Sequence, residues 1–182
     1  MTESTTTTTT TPSTTDETAT IPVEAFRGAL LMLLDEAFGG AAEPTSYFTD
    51  EGTSLFETLD GIDAATASRT FSDRASNIAA QVNHIRFYLD VLMEGLRSGW
   101  KPADWKGSWQ IGEVSEAEWQ DLIARLKASH AQVRAFAAEN PTWTADFIGG
   151  GMALVAHTAY HLGEIRSSLA ALQVPETSAI EV

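Results

Sequence analysis

The sequence predicts an all-α protein, a four-helix bundle. Three observations carry that expectation. Apolar residues recur at helical spacing over four long stretches, alternating strand patterns are absent, and helix start and stop signals bracket the stretches. Long amphipathic helices with nothing else to pack on bury their apolar stripes against each other.

The elements follow in chain order. Residues 1–20, MTESTTTTTTTPSTTDETAT, are low-complexity and almost free of large apolar side chains. Such a segment cannot bury enough surface to offset the entropy of ordering it, so a disordered Thr-rich tail is expected. The bundle is expected over residues 21–175, with a short C-terminal tail over 176–182. Its first helix runs from about Val23 to Phe38, with Pro22 at the opening turn and Gly39-Gly40 past the end. Phe26, Leu30, Leu33, Leu34 and Ala37 form its apolar stripe. TSLFETLDGI, in the connection that follows, is a candidate short helix. The second long helix spans about Arg74 to Arg97, with Ile78, Val82, Ile85, Leu89 and Leu92 on one face. The third opens at a capping box, Ser115 with Glu118 three residues on, and stops at Asn140-Pro141. The fourth runs from about Met152 to Leu172. The GGG before it, residues 149–151, lacks the Gly-Lys-Ser/Thr of a phosphate loop and reads as a flexible connection.

The link from Gly99 to Val114 is long for a hairpin turn. It is long enough to cross the bundle and let the second and third helices run parallel. Within it, WKPADWKGSW carries Trp100, Trp105 and Trp109. Such a loop can line or lid a pocket; the plainer expectation is that it caps one end of the core.

Composition excludes several classes of function. Lys plus Arg number 11 against 25 Asp plus Glu, for a net charge of −14. Nucleic-acid binding depends on a basic footprint that this balance does not supply, and an anionic membrane would be repelled. There is no cysteine, which excludes disulfides, thiolate ligands and cysteine nucleophiles. No apolar run approaches the roughly 20 residues of a membrane span. No basic region followed by an apolar core marks a secretory signal, so a cytoplasmic location is expected.

Chemistry concentrates in AHTAYHLGEIR, residues 156–166. At about 100° per residue, His157 and His161 stand about 40° apart on one helix face, with Glu164 on the same strip. Two imidazoles at i and i+4 can converge on one divalent metal, and a third ligand must then come from another helix. His84, mid-helix in QVNHIRFYL, is the candidate, with Gln81 and Tyr88 one turn to either side. Three neutral histidines would leave open coordination positions, as a catalytic site requires. The alternative is a pair of exposed or hydrogen-bonded histidines without a metal. His130 lies on the third helix's apolar face. It is a candidate fourth ligand, a base, or, as the preferred reading, a core histidine bonded to a backbone carbonyl. Position 158 is Thr, so the general base of an H-E-x-x-H metalloprotease is absent. The paired Glu-x-x-His motifs of carboxylate di-iron bundles are missing as well.

SNIAAQVNHIRFYLDVLMEGL, DWKGSW, VSEAEWQDLIARL and GMALVAHTAYHLGEIRSSL together resemble the DinB-like superfamily. The resemblance covers about residues 23–173. It implies an up-down-down-up four-helix bundle and a metal held by His84, His157 and His161, with His130 outside the triad. The implied metal is divalent: zinc, nickel, iron or manganese. Family members include thiol-dependent transferases and an isomerase, and dimers are common. The resemblance thus implies a metal-dependent enzyme that activates water or a low-molecular-weight thiol against a small molecule, and a homodimer. Glu164 is the candidate catalytic carboxylate, and Gln81 and Tyr88 are candidates for lining the substrate pocket. The other reading is a non-catalytic bundle that binds metal or dimerises.

Overall fold

The structure is a computed structural model. It describes residues 20–40 and 46–173. The tails expected over residues 1–20 and 176–182 lie outside them but for Thr20, which is exposed. The described residues are all helical, with no strand: α1 (Val23–Gly39), α2 (Leu55–Asp60), α3 (Ala64–Ser68), α4 (Ile78–Ser98), α5 (Glu116–Glu139) and α6 (Ala145–Gln173). A single 3-10 turn, Gly107–Trp109, interrupts the α4–α5 link. None of the helices is long and apolar enough to cross a membrane.

The capping chemistry sets the helix starts. Ser115 accepts a hydrogen bond from the Glu118 N–H, while the Glu118 carboxylate accepts one from the Ser115 N–H at 2.8 Å. That satisfies two donors the helix itself leaves unpaired. α4 starts at Ile78 rather than Arg74, because Asn77 is its cap: the Asn77 side chain accepts the Ala80 N–H at 2.7 Å. The Asn77 amide nitrogen also donates to the Gly112 carbonyl at 2.9 Å, tying the start of α4 to the link before α5. α3 was not expected from the sequence. Five residues give too little periodicity to show, and the Asp63 cap on the Thr66 N–H is its main local signal.

α6 corrects the expected flexible connection. It starts at Ala145, seven residues before Met152, and Gly149, Gly150 and Gly151 are helical. At Gly151 the missing side chain permits close packing, since a Cβ there would lie 2.8 Å from a Leu30 methyl of α1.

The core joins α1, α4, α5 and α6 around Leu34, Ile85, Leu89, Leu126 and Ile165, all completely buried. Trp119 of α5 is also completely buried, and its indole N–H donates to the Ile62 carbonyl at 2.7 Å, which locks the α2–α3 turn onto α5. Buried Glu36 fixes the segment after α1: its carboxylate accepts the N–H groups of Tyr47, Phe48 and Thr49. Burial pushes its pKa up, but these bonds together with the Ser46 hydroxyl outweigh that and hold it at about 2.

Candidate metal centre

α4 and α6 bring three imidazoles together. His84 sits on the buried face of α4. His157 and His161 share the face of α6 turned toward it. The ring centroids of His84 lie 5.2 Å from His157 and 5.0 Å from His161, and those two rings are 4.4 Å apart. One ligand atom from each residue lies within 4.8 Å of the others, and among the described residues this is the group that could hold a metal ion.

Neighbours decide which nitrogen of each ring faces the centre. The Ser108 hydroxyl donates its one proton to the Trp105 carbonyl at 2.7 Å. It must therefore accept from Nδ1–H of His84, 2.7 Å away. His161 Nδ1 lies 2.7 Å from Gln81 Oε1, an acceptor, so this nitrogen is the donor as well. Both rings are thus held as Nδ1–H tautomers with the Nε2 lone pair free. Outer hydrogen bonds that fix a tautomer in this way are the usual support of a metal-binding histidine.

The spacing fits a cation. Nε2 of His84 and Nε2 of His157 are 3.3 Å apart. Two nitrogens each bound at about 2.0–2.1 Å in tetrahedral geometry would stand about 3.3–3.4 Å apart. His157 Nδ1 is buried without a partner among the described residues. If that nitrogen carries the proton, two lone pairs face each other at Nε2, an arrangement that a bridging cation relieves.

Electrostatics keep the rings ready to bind. Burial lowers the pKa of His84. It lowers His157 to about 4, helped by the charge of His84, and His161 to about 3, helped by His157 and His84. All three are neutral at pH 7, the form that coordinates a metal.

A profile of the DinB superfamily matches residues 47–165, well over half of the chain and including all three histidines. The chain belongs to the DinB superfamily. No curated protein and no solved structure matches it. Membership and the three-histidine cluster on α4 and α6 both fit a metal-binding site.

Aromatic rings enclose the DinB centre. Trp109 stacks on His84 at 4.0 Å between centroids, and Tyr88 stacks on His157 at 4.0 Å. Trp105 lies 6.3 Å from His84 and 6.1 Å from Tyr88. The loop expected to cap the core end therefore covers the histidines instead. Only Trp100 lies elsewhere, mostly exposed against Gly95, where a Cβ would come within 2.5 Å of its ring.

A polar cleft of about 340 Å³ opens beside His161, with Gln81, Trp109, Arg74 and Glu164 in its wall. Glu164 is exposed there, and among the described residues it makes no hydrogen bond to any of the three rings. The contact that orients His161 comes from Gln81. Tyr88 lies flat on His157, and burial raises its pKa.

His130 lies apart from the cluster. Its ring stacks on Phe38 at 4.2 Å and meets Phe56 edge-on. Its Nε2 is buried without a hydrogen-bond partner among the described residues, not bonded to a carbonyl. Burial lowers its pKa to about 4, opposed by the charge of Asp35 and aided by that of Arg134.

The sequence does not single out Ser108, and it marks Trp109 only within a loop that can line or lid a pocket, with capping of the core as the plainer expectation. The available signal was three tryptophans within ten residues of an acidic chain. A loop's path over a helix is set by tertiary packing, and here Asn83 supplies it by donating to the Ser108 carbonyl at 2.7 Å.

Proposed function

We propose that this DinB protein is a metal-dependent enzyme acting on a small molecule, with His84, His157 and His161 as the ligands of one divalent ion. The observation that carries this reading is the pair of fixed Nδ1–H tautomers, which turn two Nε2 lone pairs inward beside a third neutral imidazole. A divalent ion bound there would supply Lewis-acid chemistry, lowering the pKa of a water or low-molecular-weight thiol so that the nucleophile exists near neutral pH.

The chain's own residues do the rest. Ser108 and Gln81 hold the rings in register. Trp109, Trp105 and Tyr88 shield them from bulk water. Three neutral ligands leave the ion's charge uncompensated, which favours an anionic fourth ligand such as thiolate or hydroxide; imidazoles suit several divalent ions, and the resemblance to the DinB-like superfamily implies zinc, nickel, iron or manganese. The cleft beside His161 is the route for substrate. Glu164 stands in its wall as the carboxylate placed to take a proton from an incoming thiol or water. Arg74, in the same wall, suits a substrate with a negative group.

The test is turnover. Metal-loaded protein is screened with several thiols against electrophilic small molecules, next to His161→Ala. Thiol-dependent product formation, lost in the variant, supports the reading. Absence of turnover with every thiol and with water counts against it.

A further inference from the structure

A second cavity, of about 330 Å³, lies between α1, α4, α5 and α6. Its wall includes Leu34, Leu92, Phe136, Phe147 and Leu154, and none of the three histidines. Tyr88 is shared: it lines this cavity while its ring lies on His157.

Three features separate it from a packing defect. The first is size. A dry apolar cavity of about 150 Å³ accommodates one benzene, and ligand pockets begin at about 300 Å³. The second is an unpaired donor. Trp143 is part of the wall, and its Nε1–H is buried without a partner among the described residues. Buried indole N–H groups usually find an acceptor, and leaving one unpaired is destabilising. The third is Gly150, which lines the cavity from inside α6. Glycine in a helix interior is less favourable than alanine. Close packing does not explain it, since a Cβ at Gly150 would meet nothing within 4 Å. Its bare backbone leaves the cavity open.

Charge narrows the ligand. The one ionisable wall residue besides Tyr88 is Asp146, exposed in the first turn of α6. A carboxylate there, in a chain of net charge −14, disfavours an anion. We propose that this cavity binds a neutral, largely apolar small molecule, about the size of a substituted naphthalene, whose acceptor atom takes the Trp143 indole N–H. The binding does not depend on a metal at the histidines.

The probe is the neutral dye prodan, a naphthalene carrying one ketone, whose emission moves to the blue in apolar surroundings. With the full chain, titration gives a saturable blue shift. Gly150→Leu grows a side chain into the open space while favouring the helix, and it abolishes the shift. Trp143→Phe keeps an aromatic ring in the wall and removes the N–H donor, weakening binding about three- to tenfold. His84→Ala leaves dye affinity unchanged, which separates this site from the metal centre. No saturable shift with the unaltered chain, or undiminished binding by Gly150→Leu folded by circular dichroism, overturns the proposal. Undiminished binding by Trp143→Phe overturns the assigned hydrogen bond.

Discussion

Ser108→Ala is expected to weaken metal binding while leaving all three ligands in place. The hydroxyl accepts the His84 Nδ1–H at 2.7 Å, in a site where His84 is only 8% exposed. Removing it leaves that N–H without an acceptor whenever Nε2 is bound to a metal. Without metal the ring has an escape: the proton can move to Nε2 and be donated to His157 Nε2, 3.3 Å away. The metal-free form then leaves only the Nδ1 lone pair without a partner, so the penalty falls more heavily on the metal-bound form, whose N–H is left without an acceptor. A buried donor left unpaired costs about 1–3 kcal/mol, or roughly 5- to 150-fold in affinity. That range agrees with the roughly 10- to 100-fold typical of outer-shell partners of metal ligands. The assay is a zinc titration against a chromophoric chelator at pH 7, comparing the unaltered chain, Ser108→Ala and Ser108→Thr. The threonine variant retains the hydroxyl and is expected to hold most of the affinity. Equal affinity for Ser108→Ala and the unaltered chain would refute the tautomer argument.

Two further outcomes follow from the fold. Trp119→Ala is expected to destabilise by about 3–5 kcal/mol in urea unfolding, because it removes a completely buried ring and orphans the Ile62 carbonyl; a loss below about 1 kcal/mol would contradict the role of Trp119 in the core. His130 has its folded pKa lowered from 6.5 to about 4, chiefly by burial. The unfolded chain therefore binds more protons in that interval, so the stability this residue contributes is full above pH 6.5 and is lost as pH falls toward 4. His130→Phe, which suits a ring stacked on Phe38, is expected to make stability less steep in pH across that window. An unchanged slope in urea midpoints between pH 7 and pH 4 would count against the buried, neutral ring.

How much was legible depended on range. α5 could be read to the residue because its signals are local: a Ser-x-x-Glu box at one end and Asn-Pro at the other. The start of α6 could not, because three consecutive glycines look like a break unless it is known that Leu30 packs where a Cβ of Gly151 would be. The histidine cluster was visible because i, i+4 spacing survives in any helix and His84 stood beside an apolar stripe. Its supports divided in the same way. Gln81 and Tyr88 were marked as neighbours of His84, but they act across the helix interface on His161 and His157. Ser108 and Trp109 reach the centre only through the fold of a loop, which no periodicity encodes.

The central claim is that one divalent ion sits between α4 and α6. The most direct test is the metal content of protein purified without chelator, by mass spectrometry, for the unaltered chain and for His84→Ala. About one divalent ion per chain, lost in the variant while its helical content is kept, is the expected result. A metal-free unaltered chain that stays empty when zinc, nickel, iron or manganese is offered, or a variant that keeps its metal, would contradict it.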